Sequence, residues 1–421
     1  MPIDIEKIRS QFPSLAVTDD NRARIYFDNP GGTQVPRIVI DRMTDCLIRN
    51  NANLGGAFAS SIGAGAIIDG ARAAMADFVN ATSPDEIVFG QNMTTLTFSM
   101  SRSLGRRFTA GDEIVLTRMD HDGNVSPWLL LARDLGLTVK WLDFNPETFE
   151  FDLADFAAVL GPRTRLVAVN HASNATGTIN DVKAISRMAK EAGALVYVDS
   201  VQYAPHGSND VQDIGCDFLV CSAYKFFGPH QSILWGRAEL LAELEAYKVR
   251  PAASTGPEKF ETGTQSHEGL AGVTAAVDYF AGIGATMGAD QHARHAGFSG
   301  RRRDVRAAMD VLFAYEKTLA ERLIDGLTAL PDVTIQGITA PEAMGRRVPT
   351  ISFTTPRHAP RALAEALAAE NVFAWSGHNY AVEAIGRLGL AEKGGVLRLG
   401  LAHYNTAAEV DIVIDALRRV M

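Results

Sequence analysis

The sequence has little cysteine, no excess of positive charge and no long apolar run. Only Cys46, Cys216 and Cys221 occur among its 421 residues, which indicates no disulfide framework. The net charge of −9 argues against a surface that binds nucleic acid or an anionic membrane. No apolar run approaches the roughly 18 residues of a membrane span, and the amino terminus lacks a signal-peptide pattern. We therefore expect a cytoplasmic protein that binds neither nucleic acid nor membrane.

Several common ligand-binding signatures are also missing. The sequence contains no Walker A motif, and no Gly-x-Gly-x-x-Gly pattern follows a predicted strand. The pair His267-Glu268 lacks the second histidine of a zinc-protease helix. We interpret His292 and His295, which stand near Asp290, as part of a solvated helix face. The sequence therefore predicts no metal site.

Apolar, β-branched runs alternate with helical spacings through residues 86–229. This alternation predicts a mostly parallel sheet with right-handed helical crossovers. Ligands of open α/β sheets bind outside the carboxyl ends of the strands, so polar side chains at those ends are expected to share one site. Five predicted strands end in such residues: Thr94 and Thr95, His121, Asn174, Asp199 and Gln202, and Ser222 and Lys225.

The pair Asp199 and Lys225 suggests a particular cofactor. A buried carboxylate that keeps a pyridine nitrogen protonated, and a lysine that forms a Schiff base with an aldehyde, suit pyridoxal phosphate (PLP). Each residue alone has a simpler interpretation. An aspartate after a strand is often a turn or N-cap residue, Thr94 also suits an ordinary N-cap, and a lone lysine or a histidine such as His121 is often only solvated or hydrogen-bonded. It is the ordered set of five strand ends that favours a cofactor site.

The chain divides into two parts of unequal size. We predict an N-terminal arm over residues 1–20 that packs with the small domain, a large PLP-binding domain over 21–285, and a small C-terminal α+β domain over 286–421. The Gly- and Ala-rich middle of a long helical tract at 268–330 marks the boundary. Residues 53–65, before a helix predicted over 66–79, are interpreted as either a mobile loop or a tightly packed segment. Arg398 lies in the last predicted strand and suits bidentate binding of a carboxylate.

From Tyr26 to Asp411 the sequence resembles the class V aminotransferases, the fold-type I PLP enzymes that include cysteine desulfurases and selenocysteine lyases. Their Ser-x-His-Lys segment is matched by residues 222–225, with Tyr224 in place of a phosphate-binding histidine. The resemblance implies an α/β fold whose large domain holds a mostly parallel seven-stranded sheet. It also implies that Lys225 carries the cofactor and that Asp199 faces the pyridine nitrogen.

The same resemblance assigns roles to further residues. Gln202 and Asn174 would contact the phenolic edge of the ring, and His121 would stack on it. Arg398 would bind the α-carboxylate of an amino-acid substrate. The remaining implied cofactor contacts are Thr94, Thr95, Ser222 and Tyr224, with Thr264 reaching the phosphate of the neighbouring subunit in a homodimer with shared sites. The remaining substrate contacts are Asn29, His378 and Tyr380.

One departure from the cysteine desulfurases bears on the reaction. Those enzymes accept sulfur on a loop cysteine, whereas Tyr380 occupies the corresponding position here and residues 340–355 contain no cysteine. We therefore predict a lyase that releases a β-substituent such as sulfur without a protein persulfide. A class V aminotransferase or epimerase is the alternative, and a non-catalytic PLP-binding protein is a second one.

Overall fold

A computed structural model describes residues 3–421 of the chain. The strands are β1 Thr18–Asp19, β2 Arg22–Ala23, β3 Ile25–Tyr26, β4 Ile87–Gly90, β5 Glu113–Thr117, β6 Thr138–Leu142, β7 Thr164–Asn170, β8 Leu195–Asp199, β9 Phe218–Ser222, β10 Ser232–Gly236, β11 Thr334–Ile335, β12 Thr350–Thr354, β13 Val372–Phe373, β14 Trp375–Gly377 and β15 Val396–Gly400. The helices are α1 Ile5–Arg9, α2 Arg37–Arg49, α3 Ala59–Val79, α4 Met93–Gly105, α5 Ser126–Leu135, α6 Leu153–Val159, α7 Val182–Glu191, α8 Val211–Ile214, α9 Ala238–Glu243, α10 His267–Thr286, α11 Gly300–Thr328, α12 Pro360–Ala369, α13 Val382–Arg387 and α14 Ala407–Val420.

The larger sheet has seven strands in the order β4-β10-β9-β8-β7-β5-β6. Only β10 runs antiparallel to its neighbours, and the other pairs are parallel. In β7, Val167 and Val169 face one apolar core, while Leu166 and Ala168 face another on the opposite side. Both faces are therefore covered, which is why these strands read as continuous apolar runs. The predicted α/β class and the mostly parallel seven-stranded sheet are confirmed.

The smaller sheet has four antiparallel strands in the order β11-β12-β15-β14. It packs on a separate apolar core that includes residues of α12 and α14. The 29-residue helix α11 joins the two cores, since Leu312 belongs to the first and Leu319 to the second. The predicted boundary between residues 285 and 286 stays a prediction, because α11 contributes to both sides.

The N-terminal arm lies against the end of the chain. Ile8 and Phe12 are buried in the first core, where Phe12 contacts the ring of Tyr404 edge-on. The Arg9 guanidinium lies 2.9 Å from the Glu409 carboxylate of α14. The arm thus contacts residues that follow the last strand of the smaller sheet.

Two helix boundaries differ from the expectation. Helix α3 begins at Ala59 rather than at 66, so the second half of the Gly/Ala/Ser-rich segment is a packed helix. A Cβ atom added at Gly63 would lie 2.0 Å from the Asn50 side chain, which explains the small residues there. The tract at 268–330 is broken between α10 and α11, and Gly284 allows close approach because an added Cβ would lie 1.7 Å from the Asp304 carbonyl oxygen.

No single helix within residues 3–421 has the length and apolar character needed to cross a membrane. The helix α10 and the short helix Ala289–His295 have that length and apolar character only when they are counted together, and the chain bends by 99° between them.

Candidate active site

A cavity of about 760 Å³ opens where the carboxyl ends of the larger sheet meet the edge of the smaller sheet. Residues of both sheets and of the loop after β3 line it. The lining residues are Pro30, Gly31, Asn92, Met93, Thr94, His121, Asn170, Ala172, Asn174, Asp199, Val201, Gln202, Tyr224, Lys225, Trp375, Ser376, Gly377, His378, Asn379, Tyr380 and Arg398. Its size and its few convergent polar groups are typical of a small-molecule site.

Lys225 reaches this cavity from the short helical turn that follows β9. Its Nζ donates a hydrogen bond to the carbonyl oxygen of Pro30. Burial lowers the pKa of Lys225 to about 7, helped by the charge of Arg398 and opposed by those of Asp199 and Asp28. A lysine with a lowered pKa is neutral for much of its time near pH 7, which is the form that attacks a carbonyl.

Asp199 ends β8 and is 4% exposed. Its Oδ1 accepts a hydrogen bond of 2.9 Å from the backbone N–H of Val201, and no described residue donates to Oδ2. Burial raises the pKa of Asp199 to about 6, while the nearby Lys225 and the Val201 N–H act in the opposite direction. The carboxylate is thus arranged to receive a cationic N–H from the cavity side.

His121 follows β5 and presents a flat, uncharged ring. Its Nδ1 accepts a hydrogen bond of 3.0 Å from the Gly123 N–H, and burial lowers the pKa of His121 to about 4, with Lys225 and Arg398 contributing. The imidazole stacks on the ring of Tyr380, with centroids 5.4 Å apart and planes 18° apart.

Arg398 lies in the middle of β15 and is 4% exposed. Its Nη1 donates to the Asn174 carbonyl oxygen at 3.0 Å, and its buried Nε has no hydrogen-bond partner among the described residues. Burial lowers the pKa of Arg398 to about 10, opposed by Asp28, so the guanidinium stays cationic at neutral pH. A buried cation with an unused donor suits a carboxylate ligand, because leaving such a group unpaired is costly.

Two buried acceptors near Arg398 also lack partners. These are Oδ1 of Asn174 and Oδ1 of Asp28. Burial raises the pKa of Asp28 to about 6, while its own backbone hydrogen bond, Arg398 and Lys225 lower it. Asn174 lines the cavity, and a buried polar atom without a partner there indicates a ligand that satisfies it.

Most of the predicted site residues come together. Ten line the cavity: Thr94, His121, Asn174, Asp199, Gln202, Tyr224, Lys225, His378, Tyr380 and Arg398. Gln202 donates to the Thr350 hydroxyl at 3.0 Å, and the Tyr224 ring stacks on His230 with centroids 5.1 Å apart. Burial raises the pKa of Tyr224, so its phenol keeps the proton that an anionic ligand would accept.

Four predicted residues lie outside the lining. Thr95 is exposed and its hydroxyl donates to the Asn92 carbonyl oxygen, whereas Ser222 is buried with its hydroxyl 2.6 Å from that of Ser232. Thr264 is exposed on a loop before α10. Their roles stay predictions, and that of Thr264 depends on a second subunit.

Asn29 is the fourth residue outside the lining, and it is buried. Its amide nitrogen donates to the carbonyl oxygens of Tyr26 and Gly400, and its Oδ1 accepts from the Tyr404 hydroxyl. These contacts show Asn29 holding the loop that carries Pro30, and its predicted contact with substrate remains untested.

Sequence reasoning missed several lining residues. Asn170, the last residue of β7, donates to the Met119 carbonyl oxygen and lines the cavity, although the pattern of polar residues after that strand drew attention to Asn174. Trp375 also lines the cavity, and nothing in the sequence around it indicates a role at the site. A Cβ atom added at Gly31 would lie 2.8 Å from Nε1 of Trp375, so the glycine makes room for the indole. Only the pairing of distant strands reveals this contact.

The cavity groups fit pyridoxal phosphate. The unpartnered oxygen of Asp199 would receive the pyridinium N–H, the Lys225 amine would hold the aldehyde carbon, and the His121 ring would cover one face. Thr94 stands in the first turn of α4, whose free N–H groups favour an anion such as the phosphate. Arg398 remains for the carboxylate of a substrate.

Comparisons with known proteins agree with this arrangement. The family model described as "Aminotransferase class-V" matches residues 25–298 and 306–413. The chain is 35% identical to "Aminotransferase-like protein FGM3" of Gibberella zeae, with 99% of this chain and 98% of that protein covered. It is 33% identical to a "Probable cysteine desulfurase" of Streptomyces coelicolor, with 99% and 97% covered. A solved cysteine desulfurase of Thermococcus onnurineus superposes with a TM-score of 0.86 at 27% identity, with 100% of this chain and 98% of that one covered.

Proposed function

Because the chain belongs to the class V aminotransferase family, whose enzymes depend on pyridoxal phosphate, we propose that it releases a sulfur substituent from the β-carbon of an α-amino acid without passing sulfur to a protein cysteine. The protein is a PLP-dependent enzyme of that family. The observation that carries the finer proposal is the composition of the cavity wall, which combines ten of the predicted cofactor and substrate residues with no thiol.

All three cysteines are free and buried in the protein interior. Burial raises the pKa of each thiol, with neighbouring acidic residues contributing in each case. A nucleophilic cysteine instead needs an accessible thiolate in electropositive surroundings. Cys46, Cys216 and Cys221 therefore have the character of structural residues rather than of sulfur acceptors.

The residues at the cavity divide the chemistry between them. When bound, the cofactor supplies an electron sink next to the substrate α-carbon. Asp199 faces the ring nitrogen and maintains its positive charge, and Arg398 binds the α-carboxylate through its unused donor. The Nζ of Lys225, whose pKa is lowered, takes the proton from the α-carbon.

Release of the substituent then breaks the bond between Cβ and sulfur. The electron pair of the Cα–H bond forms a bond between Cα and Cβ, and the pair of the Cβ–S bond leaves with sulfur, which takes up a proton. His378 and Tyr380 lie at the cavity mouth and are placed to supply that proton. With water, an S-substituted cysteine gives a thiol, pyruvate and ammonia, so that no oxidant or reductant is needed. Cysteine sulfinate would instead lose sulfur dioxide, which leaves the Cβ–S electron pair on Cβ to be protonated. With water the products are alanine and sulfite, again without an oxidant or reductant.

Transfer of the amino group is the second candidate, supported by the relative of Gibberella zeae, which is named aminotransferase-like. Both reactions begin with the same binding of the α-carboxylate and the same removal of a proton, and epimerisation does as well. A non-catalytic PLP-binding protein is disfavoured by the unpartnered Nε of Arg398, which a protein binding only the cofactor would not require.

The test is to incubate the purified holoenzyme with cysteine, cysteine sulfinate and S-substituted cysteines. We expect the released sulfur group to appear in a 1:1 ratio with pyruvate or alanine. A requirement for an added keto acid, with formation of the corresponding amino acid, would support the aminotransferase instead. Loss of optical activity without release of any group would support the epimerase.

We also propose a homodimer with shared sites, because Thr264 is exposed and far along the chain from the Thr94 end of the cavity. The test combines Lys225→Ala and Thr264→Ala chains, each inactive alone. If the sites are shared, one site of the mixed dimer carries both substitutions and the other carries neither. The mixed dimer should then have about half of the activity of the unaltered dimer. A verified mixed dimer with no recovery would rule out sharing.

A further inference from the structure

Trp375 and Arg398 are direct partners across the antiparallel pair of β14 and β15. Residues directly opposite one another in such a pair project from the same face of the sheet, with Cβ atoms about 5 Å apart. Both side chains line the cavity. A substrate whose α-carboxylate is held by Arg398 therefore has the indole of Trp375 beside it.

The indole also lies close to the reacting end of the cavity. It packs on Gly31, where an added Cβ atom would lie 2.8 Å from the indole Nε1. The preceding residue, Pro30, accepts the hydrogen bond from Lys225. Trp375 is 52% exposed, and no described residue accepts a hydrogen bond from its N–H. One aromatic face is thus open beside the path from Arg398 to Lys225.

Tyr380 forms the other side of this opening. It is 65% exposed and stacks on His121. Two residues of the larger domain hold its loop, because the Asp122 N–H donates to the Tyr380 carbonyl oxygen at 2.7 Å and the Asn174 amide donates to that of Asn379 at 2.8 Å.

The backbone of this loop is unusual. Gly377 has a φ of 118°, and the consecutive residues Asn379 and Tyr380 have φ values of 50° and 57°. Two adjacent non-glycine residues in the left-handed region are uncommon, and such conformations persist where the surroundings impose them, often at ligand-binding sites. The hydrogen bonds from the larger domain impose this one, and the result is that an exposed aromatic ring stands at the mouth.

The segment 375–380 carries no aspartate, glutamate, lysine or arginine. Its exposed side chains are those of Trp375, His378 and Tyr380, and we call the two largest, Trp375 and Tyr380, the aromatic rim. Exposed aromatic groups at a binding site gain from contact with another flat ring, whereas a positively charged substituent finds no carboxylate in this segment.

We infer that the aromatic rim selects substrates whose β-sulfur bears a flat, uncharged aromatic or heteroaromatic group. The inference rests on the proposed function, since it names the substrate class of the same site. An aromatic pair contributes an amount equivalent to about 2- to 13-fold in affinity, so two rings together should give about 5- to 160-fold preference over a methyl group.

Binding can be measured apart from the reaction. The probes are 3-(phenylthio)propanoate and 3-(methylthio)propanoate, which keep the carboxylate and sulfur but have no amino group to react with the cofactor. We expect calorimetry on the holoenzyme to give a Kd at least about fivefold lower for the phenyl compound. In Trp375→Ala the ratio should fall to threefold or less, and Trp375→Phe, which keeps a flat ring, should restore most of it.

Tyr380→Ala should also reduce the ratio, whereas Tyr380→Phe should keep it. Tyr247→Ala is the matched control, because Tyr247 is 53% exposed, outside the cavity lining, and its removal should leave the ratio unchanged. Equal affinities of the two probes in the unaltered enzyme, or an unchanged ratio in both alanine variants, would overturn the inference.

A second, separate test measures the reaction with S-phenylcysteine and with S-methylcysteine. Release of thiophenol with a lower KM than release of methanethiol supports both proposals. A phenyl preference in binding without any thiol release would contradict the lyase and leave the aromatic rim supported. Thiol release from both compounds with equal KM and no binding preference would contradict the rim and leave the lyase supported.

Discussion

The seven-stranded sheet and the four-stranded sheet both reach the cavity, but they contribute different groups. The larger sheet contributes Asp199, Lys225 and His121, which lie at or just after the carboxyl ends of the parallel strands β8, β9 and β5. The smaller sheet contributes Arg398 from the middle of β15 and Trp375 from the first residue of the antiparallel strand β14. The groups of the larger sheet surround the reacting centre. Those of the smaller sheet extend from the buried guanidinium of Arg398 to the half-exposed indole of Trp375.

This difference separates cofactor chemistry from the choice of substrate. Groups at parallel strand ends meet because the strands share one edge, and in this protein they suit a single flat anionic cofactor. Groups on paired antiparallel strands lie at fixed distances from one another. This arrangement suits the simultaneous binding of a substrate's carboxylate and of its side chain. Damage to the first set should affect every substrate equally, while damage to the second should depend on the substrate.

The largest effect is expected for Lys225→Ala. Turnover should fall by about 100- to 10,000-fold with every substrate, since both the covalent hold on the cofactor and the proton transfer are lost. Borohydride reduction followed by peptide mass spectrometry should find PLP on Lys225 in the unaltered protein and on no lysine in the variant. A reducible attachment at another lysine in the variant would show that the site has been assigned to the wrong residue.

A smaller and substrate-dependent loss is expected for Arg398→Ala. Removal of a charged hydrogen-bonding partner should lower kcat/KM about 100-fold for amino acids, mainly through KM. The matched control is the corresponding amino alcohol, which has no carboxylate and should bind both proteins with affinities within threefold. The absorption of bound PLP should be unaltered. If the variant lost PLP, Arg398 would belong with the cofactor set, and the division between the sheets would be wrong.

The cofactor side of this division could be predicted from sequence because it depends on local signals. Each of the strands β5, β8 and β9 is a short apolar run, and polar residues mark the point where the run ends. After β9 the Ser-Ala-Tyr-Lys segment at 222–225 is a further signal. Parallel strand ends converge without any knowledge of register. Asp199 and Lys225 therefore come together as expected, and Asn170 was overlooked only because four further polar or small residues follow it.

The substrate-binding residues of the smaller sheet are brought together by the pairing of β14 with β15, which no local sequence pattern predicts. Trp375 and Arg398 become neighbours through the register of β14 on β15, and a shift of one residue would place the indole on the opposite face. The left-handed backbone at Asn379 and Tyr380 accepts hydrogen bonds from Asn174 and Asp122, which both lie more than 200 residues earlier in the chain, so the sequence offers no sign of it. Arg398 was found only through the family resemblance and the known preference of carboxylates for arginine.

The pKa of Lys225 predicts a third effect, on stability, in protein from which PLP has been removed. Since burial lowers its pKa from 10.5 in the unfolded chain to about 7 in the folded one, the unfolded chain binds more protons between these values and stability rises with pH there. Below pH 7 both states are protonated and the cost of burying the charge is fully present.

Lys225→Met should remove this cost. We expect the variant to be more stable than the unaltered apoprotein by about 4 to 5 kcal/mol at pH 6.5, with the difference shrinking steadily toward pH 10. Urea unfolding at several pH values measures it. A difference that grows as pH rises would contradict the lowered pKa. Arg398 stays charged throughout the lower part of this range, so Arg398→Met should give a difference with little dependence on pH below pH 9.

The smallest effect is expected for the cysteines, and it tests the central claim that neither sheet supplies a sulfur acceptor. The measurement is the rate of thiol release from an S-substituted cysteine by the holoenzyme of the triple variant Cys46→Ala, Cys216→Ala, Cys221→Ala. We predict a kcat within about twofold of the unaltered enzyme, because all three thiols are buried and none lines the cavity. Loss of turnover in a folded, PLP-loaded triple variant, together with a persulfide on one cysteine of the unaltered enzyme during turnover, would contradict the account.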